Sequence, residues 1–166
     1  MKAWSGGETS RQQDAVELAR LAALKWEATC DMGTVAASLI EMESAIRANS
    51  RIEVTAMILA EASWFEPGLL GVCLFHRTWA GNVFLDFLAV HPETEGLIGG
   101  VGVGLLYQLC DASRRLKAGL LWGETAAKSK QFYERAFGFE EIDDRLLVSL
   151  EQQEAFCRRM EDKWRG

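Results

Sequence analysis

The 166-residue sequence contains few of the residues that build metal sites or disulfide-stapled folds: two histidines, two prolines and four cysteines. The cysteines stand singly, without the close pairs typical of zinc sites or small secreted frameworks, at Cys30, Cys73, Cys110 and Cys157. We therefore expect buried thiols in a protein of the reducing cytoplasm. Neither His76 nor His91 has a second histidine at ligand spacing, so turn or surface roles are favoured and no metal is expected.

Long apolar runs and excess basic charge are also missing. The longest weakly polar run, residues 96–107, is shorter than the about 20 residues of a membrane span, and residues 1–11 are too polar for a signal peptide. Lys and Arg number 18 against 24 Asp and Glu, and the net charge of −6 repels phosphate backbones and anionic lipids. We expect neither a nucleic acid nor a membrane partner.

No linker, repeat or low-complexity tract divides the chain, so residues 1–166 are predicted to form a single domain. Residues 1–10 are expected to be flexible, and residues 151–166 are predicted to form a charged helical tail. The sequence does not decide between a monomer and a homodimer.

Apolar periodicity predicts two helices early in the chain. The first begins with a capping-box spacing at Ser10, and Leu21 and Leu24 lie on its charged arc. Its apolar arc contains Ala15, Val16, Leu18, Ala19, Ala22, Ala23 and Trp26. The second is predicted over residues 34–49.

Strand-like runs follow at residues 51–62, 68–80 and 83–92, and turn signals separate them. Together they predict an antiparallel meander. The remaining pattern predicts a helix with a stripe at Leu105, Leu109, Ala112 and Leu116, a strand at 118–122, a helix ending at Gly138, and strands around 139–142 and 145–150. This order indicates an α/β (α+β) fold, with a mostly antiparallel mixed sheet flanked by helices.

The stretch GGVGVGLL at residues 99–106 places four glycines between an apolar strand and an amphipathic helix. Unpaired amides in the first turn of a helix bind phosphates, and glycine lets a ligand approach those amides closely. A glycine turn that only lets helix and strand pack tightly fits the same residues. No acidic residue completes a dinucleotide fingerprint and no Lys-Ser/Thr pair completes a Walker loop.

Three ordered segments decide between these two interpretations of the glycines: LDFLAVHP (85–92), GVGVGLL (100–106) and KSKQFYERAFGF (128–139). Together they resemble the GCN5-related N-acetyltransferase (GNAT) superfamily, whose members transfer an acyl group from coenzyme A to an amine. The resemblance covers residues 51–150 and implies the acyl-CoA N-acyltransferase fold. It also implies acetyl-CoA as co-substrate and a primary amine, on a small molecule or a peptide, as acceptor.

The resemblance also implies a coenzyme site. A splayed strand would bind the pantetheine arm through the exposed backbone of Leu88, Ala89 and Val90. Pyrophosphate would bind the amides of Gly99, Gly100, Val101, Gly102 and Val103. Ser129 is implied to touch coenzyme A, although a solvent-facing helix serine fits as well, and Lys128 and Lys130 are candidates for the nucleotide 3′-phosphate.

Two positions depart from the family pattern: Leu97 replaces the usual Gln or Arg, and Ala126 replaces a frequent Asn. These departures motivate a second hypothesis, in which the chain is a non-catalytic acyl-CoA-binding regulatory or interaction module with the same fold.

Acetyl transfer to an amine requires a proton acceptor, because an alkylammonium loses its proton at pH 7 at a cost of about 4–5 kcal/mol. Asp86 interrupts an otherwise apolar strand and is the candidate base, with a surface or salt-bridged role as the alternative. In the resembling family, the tyrosine that Tyr133 matches faces the thioester sulfur, where it would hydrogen-bond the departing thiolate. The alternative for Tyr133 is a core residue packed near Phe137.

Overall fold

A computed structural model describes residues 16, 17, 20, 21, 23, 24, 44, 52–66, 68–78, 80–94 and 99–166. Its elements are, in chain order, β1 (Ile52–Glu61), β2 (Leu69–Thr78), β3 (Val83–Val90), a short 3-10 turn (Pro92–Thr94), α1 (Val101–Arg115), β4 (Leu120–Glu124), α2 (Lys130–Phe137), β5 (Arg145–Ser149) and α3 (Leu150–Arg165). Within the described residues, no helix has the length and apolar content needed to cross a bilayer.

The five strands form one sheet in the order β1-β2-β3-β4-β5. The first three strands are an antiparallel meander, β3 and β4 run parallel, and β4 and β5 run antiparallel. Gly68 and Gly81 take the positive φ angles of the two meander turns, 95° and 83°, which residues with a Cβ rarely adopt. The predicted mostly antiparallel mixed sheet flanked by helices is confirmed.

The main core lies on the sheet face covered by α1, α2 and α3. Leu105, Leu106 and Leu109 of α1 are fully buried there, and each contributes about 1.5–3 kcal/mol by leaving water. Phe156 and Cys157 of α3 pack into the same cluster. This packing fixes the position of α1, whose first turn faces the end of β3.

A second apolar cluster lies under Leu69 and Val72 of β2 and includes Ala23. The described residues of the first predicted helix are helical: Val16 and Ala23 are buried, and Leu21 and Leu24 are exposed, as their arcs predicted. In the second predicted helix Ser44 is described, and it is helical and exposed. The remaining apolar-arc residues of the first helix, the rest of the second, and Cys30 lie outside the described part of the chain.

Two strand predictions need correction. The strand predicted at 118–122 begins two residues later, because the amide of Ala118 donates to the Ser113 carbonyl and ends α1. The strand predicted at 139–142 is absent. The Phe139 amide donates to the Glu134 carbonyl and the Ile142 amide to the Glu134 carboxylate, so both amides bond to α2 rather than to a strand.

Residues 151–166 form a helix as predicted, but the helix is part of the core and not a tail. It begins with a capping box in which Ser149 and Gln152 satisfy each other's backbone amides. Phe156 is buried, and Tyr107 of α1 donates a hydrogen bond of 3.0 Å to Glu161. The expectation of buried thiols is confirmed for the described cysteines, Cys73, Cys110 and Cys157.

Candidate functional site

Strand β3 is paired with β4 along only part of its length. Residues 83–85 pair with residues 121–123 of β4. Residues 88–90 pair with β2 on one side and have no strand partner on the other side among the described residues. A gap therefore opens between β3 and β4 beyond Leu85, and it exposes the edge of the backbone that the family resemblance assigns to pantetheine.

A β-bulge lies at the start of this gap. Leu74 pairs with Phe87 and Phe75 pairs with Leu85, so Asp86 is the extra residue of β3. A bulge bends its strand and increases the local twist, which turns the second half of β3 away from β4.

The first turn of α1 lies at the other end of the gap. Gly100 precedes it with φ 93°, a conformation that favours glycine, and its carbonyl accepts the Gly104 amide at 2.8 Å. The amides of Val101, Gly102 and Val103 have no acceptor among the described residues. Their N–H groups and the helix dipole make this end of α1 suitable for an anion. Leu97 lies outside the described residues.

The three sequence segments that carry the resemblance converge at Gly102. A Cβ atom added there would lie 3.3 Å from both Val90 Cγ2 of β3 and Phe132 Cε2 of α2. Gly102 is therefore needed for close packing, as the packing interpretation of the glycine stretch requires. Added Cβ atoms at Gly99 and Gly100 would meet nothing within 4 Å among the described residues, which fits a surface left open for a ligand.

Tyr133 lies in α2 on the helix-covered face of the sheet and is only 5% exposed. Its hydroxyl has no hydrogen-bond partner among the described residues. Burial, and to a smaller extent the Cys73 thiol, raises the pKa of Tyr133 to about 12. Tyr133 and Cys73, the register partner of Leu88, belong to one core cluster, and Leu88 of the unpaired half of β3 packs against that cluster. Tyr133 and Phe137 both belong to the core cluster, as the packing alternative for Tyr133 predicted.

Asp86 is hydrogen-bonded to His76 of β2, with Nδ1 at 2.9 Å from Oδ1 and 2.8 Å from Oδ2. Burial raises the pKa of Asp86 above its ordinary value, and the hydrogen bond and charge of His76 partly offset that effect. His76 lies within a strand, and the surface role expected for it is wrong, because its side chain is 14% exposed and bonded to Asp86. His91 does lie in a turn, where its Nδ1 accepts the Glu93 amide, but it is buried.

Two of the side chains proposed to contact coenzyme A have protein partners. Ser129 immediately precedes α2, and its hydroxyl donates to the Ala126 carbonyl at 2.9 Å. Lys130 forms an ion pair with Asp144 at 2.9 Å, which raises the pKa of Lys130 and lowers that of Asp144. Lys128 is exposed.

A basic cavity of about 290 Å³ lies beside the first turn of α1 and was not predicted. Its lining includes Val103 and Phe132 together with three cationic side chains, Arg135, Arg159 and Lys163. Arg159 is held by a hydrogen bond to the Ala136 carbonyl and lies over the Phe156 ring, 5.7 Å from its centroid. Two of the cations come from α3, which the sequence pattern had assigned to a tail.

Among the described residues, no group of three or more His, Cys, Asp or Glu side chains could hold a metal ion.

No family model and no curated protein matches the sequence. Solved structures do match. A protein from Desulfovibrio desulfuricans assigned to the GNAT family of acetyltransferases is 20% identical, with TM-score 0.51, over 83% of this chain and 93% of that one. A GNAT-family acetyltransferase from Brucella melitensis, solved with acetyl-CoA, is 18% identical, with TM-score 0.51, over 82% of each chain.

Nourseothricin acetyltransferase is 25% identical over 49% of this chain, and the matched part spans about half of that protein, 48%. Its TM-score of 0.43 is too low to bear on the fold. The two longer matches cover more than four fifths of each chain and show the fold. The chain therefore has the acyl-CoA N-acyltransferase fold of the GNAT superfamily.

Proposed function

We propose that this protein is an N-acetyltransferase that transfers the acetyl group of acetyl-CoA to a primary amine by direct attack. The observation that carries the proposal is the gap between β3 and β4, which has unpaired strand backbone along one edge. The α1 amides without acceptors lie at its end, and Tyr133 belongs to the core cluster against which Leu88 of the unpaired half packs.

Pantetheine would bind as an added strand along Leu88, Ala89 and Val90. Its pyrophosphate would accept hydrogen bonds from the amides of residues 99–103. The helix dipole contributes only about 0.3–1 kcal/mol per charge, so several amide hydrogen bonds must supply most of the affinity. Because backbone amides bind without side chains, this mode does not require the Gln or Arg that Leu97 replaces.

The nucleotide end of coenzyme A would lie in the basic cavity beside Val103. Its 3′-phosphate is a dianion, and Arg135, Arg159 and Lys163 supply positive charge next to the pyrophosphate site. Arg159 is already held in place by Ala136 and Phe156, which lowers the entropy cost of binding. These residues replace Lys130, which is engaged by Asp144, as the candidates for this contact.

Tyr133 would stabilise the leaving thiolate by a hydrogen bond and not by full proton transfer. A phenol with a pKa of about 12 protonates a thiolate whose thiol has a pKa near 8.5 only at a cost of about 5 kcal/mol. A hydrogen bond to developing sulfur charge has no such cost and strengthens in a site that excludes water.

The acceptor is proposed to be a cationic amine on a small molecule or a peptide. The negative net charge of the chain and the buried carboxylate of Asp86 both favour a cation over an anion. The buried, unpaired thiols support the cytoplasm as the compartment.

Thermal denaturation and a thiol-release assay together test the function. Acetyl-CoA at 100 times its dissociation constant should raise the unfolding free energy by about 2.7 kcal/mol, and a panel of primary amines should then release free coenzyme A. Stabilisation without release from any amine would favour the non-catalytic acyl-CoA-binding module. If acetyl-CoA gives no stabilisation, the proposed site is wrong.

A further inference from the structure

Asp86 and His76 form a buried pair on adjacent strands. Both carboxylate oxygens lie within 2.9 Å of His76 Nδ1, and the two side chains are 8% and 14% exposed. Asp86 is the extra residue of the bulge and lies two positions after Phe84, the register partner of His76. A buried carboxylate directed at one nitrogen orients an imidazole and stabilises its cation.

The imidazole lies beside the point where the strands separate. His76 is the register partner of Phe84, and the two rings stack with centroids 5.3 Å apart and an interplanar angle of 29°. Phe84 in turn contacts Trp122 of β4 edge-on at 4.5 Å, within the last paired part of β3 and β4. This chain of contacts places His76 next to the closed end of the gap.

The geometry also determines which nitrogen of His76 is available. An ionised carboxylate only accepts hydrogen bonds, so Nδ1 must carry the proton that it donates to Asp86. Nε2 then has a lone pair, and it has no partner among the described residues. On β1 the register partner of His76 is Thr55, which carries no charge. Among the described residues, the charged side chain that contacts the His76 ring is that of Asp86.

We propose that His76 is the catalytic base of the acetyl transfer and that Asp86 is its positioning residue. This inference rests on the proposed function and deepens it. Nε2 takes one proton from the acceptor ammonium, directly or through one water. The amine nitrogen then forms a bond to the acetyl carbon, and the carbon–sulfur bond breaks. The sulfur leaves with the second amine proton as free thiol, and the imidazolium returns its proton to solvent.

The role of Asp86 differs from that of a direct base. Both carboxylate oxygens are directed at Nδ1, towards β2, and therefore away from the gap beside β4. Asp86 fixes the tautomer of the neutral ring, with the proton on Nδ1 and the lone pair on Nε2, and holds the imidazolium by an ion pair after proton transfer.

The pH dependence of kcat/KM in matched variants tests this assignment. The kcat/KM of the protein should show a limb that falls towards acidic pH, where a general base is protonated, and His76→Gln should abolish that limb and lower kcat by about 10²–10⁴-fold. Asp86→Asn should lower kcat while keeping the limb, since Nε2 is retained. His91→Gln changes the only other histidine in the sequence and should leave the limb in place. Unchanged stabilisation by acetyl-CoA shows that each variant is folded.

A limb that persists in His76→Gln with an unreduced kcat would overturn the assignment and leave the proposed function intact. Failure of the unmodified protein to acetylate any amine would overturn both. A nitrogen-15 NMR experiment gives a readout besides activity: the neutral His76 ring should carry its proton on Nδ1. A proton found on Nε2 would contradict the proposed base.

Discussion

The two halves of β3 differ in their pairing although they contain the same kinds of residue. Residues 83–85 are hydrogen-bonded to β2 and to β4, and Val83 is fully buried. Residues 88–90 are paired with β2 only, and all three are partly exposed. Asp86 and its bulge separate the two halves. A local change in register thus turns an ordinary central strand into a strand with one unpaired edge.

This difference separates structure from function within one strand. The closed half sets the distance between β3 and β4, and changes there should affect stability. The unpaired half and the groups around it should affect ligand binding and turnover. Each variant therefore has a matched control.

The largest effect is expected for Tyr133→Phe, which removes the phenol hydroxyl. We expect kcat to fall by about 10²-fold with little change in the affinity for acetyl-CoA, as for other donors to developing charge. Steady-state thiol release measures both parameters. Tyr107→Phe removes the only other tyrosine hydroxyl, which bonds Glu161 instead, and should retain full activity. An undiminished rate in Tyr133→Phe would exclude Tyr133 from the reaction.

Gly123→Ala tests the closed half. The added Cβ would lie 2.9 Å from the Leu85 carbonyl oxygen, so β3 and β4 must shift apart. We expect the unfolding free energy to fall by about 1–3 kcal/mol, measured by denaturant unfolding. A Cβ atom added at Gly119, just before β4, would meet no atom of the described residues within 4 Å, so Gly119→Ala should have little effect. Equal stability of the two variants would show that the strands are not in contact at this position.

Gly100→Ala tests the turn that leads into α1. Its φ of 93° requires a left-handed backbone, so alanine should cost about 1–2 kcal/mol of stability although no atom of the described residues obstructs it. Gly104 lies inside the helix with the same open surroundings, and Gly104→Ala should add up to about 1 kcal/mol. Chemical unfolding of both variants measures the difference. If both substitutions raise the unfolding free energy, or both lower it, the positive φ at Gly100 is wrong.

The smallest effect is expected for Lys163→Gln in the basic cavity. Affinity for acetyl-CoA should fall by about 2- to 5-fold, which is the range for one exposed ion pair. Affinity for 3′-dephospho-acetyl-CoA should not change, because that analogue lacks the phosphate. Lys128→Gln lies outside the cavity lining and is the matched control. Equal losses for both coenzymes would place the 3′-phosphate elsewhere.

The meander and the glycine turn before α1 could be predicted from sequence because their signals are local. Turn residues such as Gly68 and Gly81 divide the strands, and the glycines at 99–102 mark the start of the helix that follows β3 in the chain. The C-terminal cap of α2 at Gly138 was likewise visible in the sequence.

Other features depend on contacts between distant parts of the chain. The His76–Asp86 pair requires the register of β2 and β3 and the bulge within it, which alternation of apolar residues does not reveal. The prediction of a strand at 139–142 failed because the Glu134 carboxylate accepts the amide of Ile142 in that segment. Arg159 and Lys163 reach the site only through the packing of α3 on α1, and a charged helical pattern alone does not predict that packing.

A backbone-amide NMR titration with acetyl-CoA tests the central claim most directly. We predict large chemical-shift changes for the amides of Leu88, Ala89 and Val90 and for those of Val101, Gly102 and Val103. The amides of residues 83–85 should stay nearly unchanged. Saturable binding that moves the closed half of β3 and leaves the unpaired half and the first turn of α1 unaffected would contradict the claim.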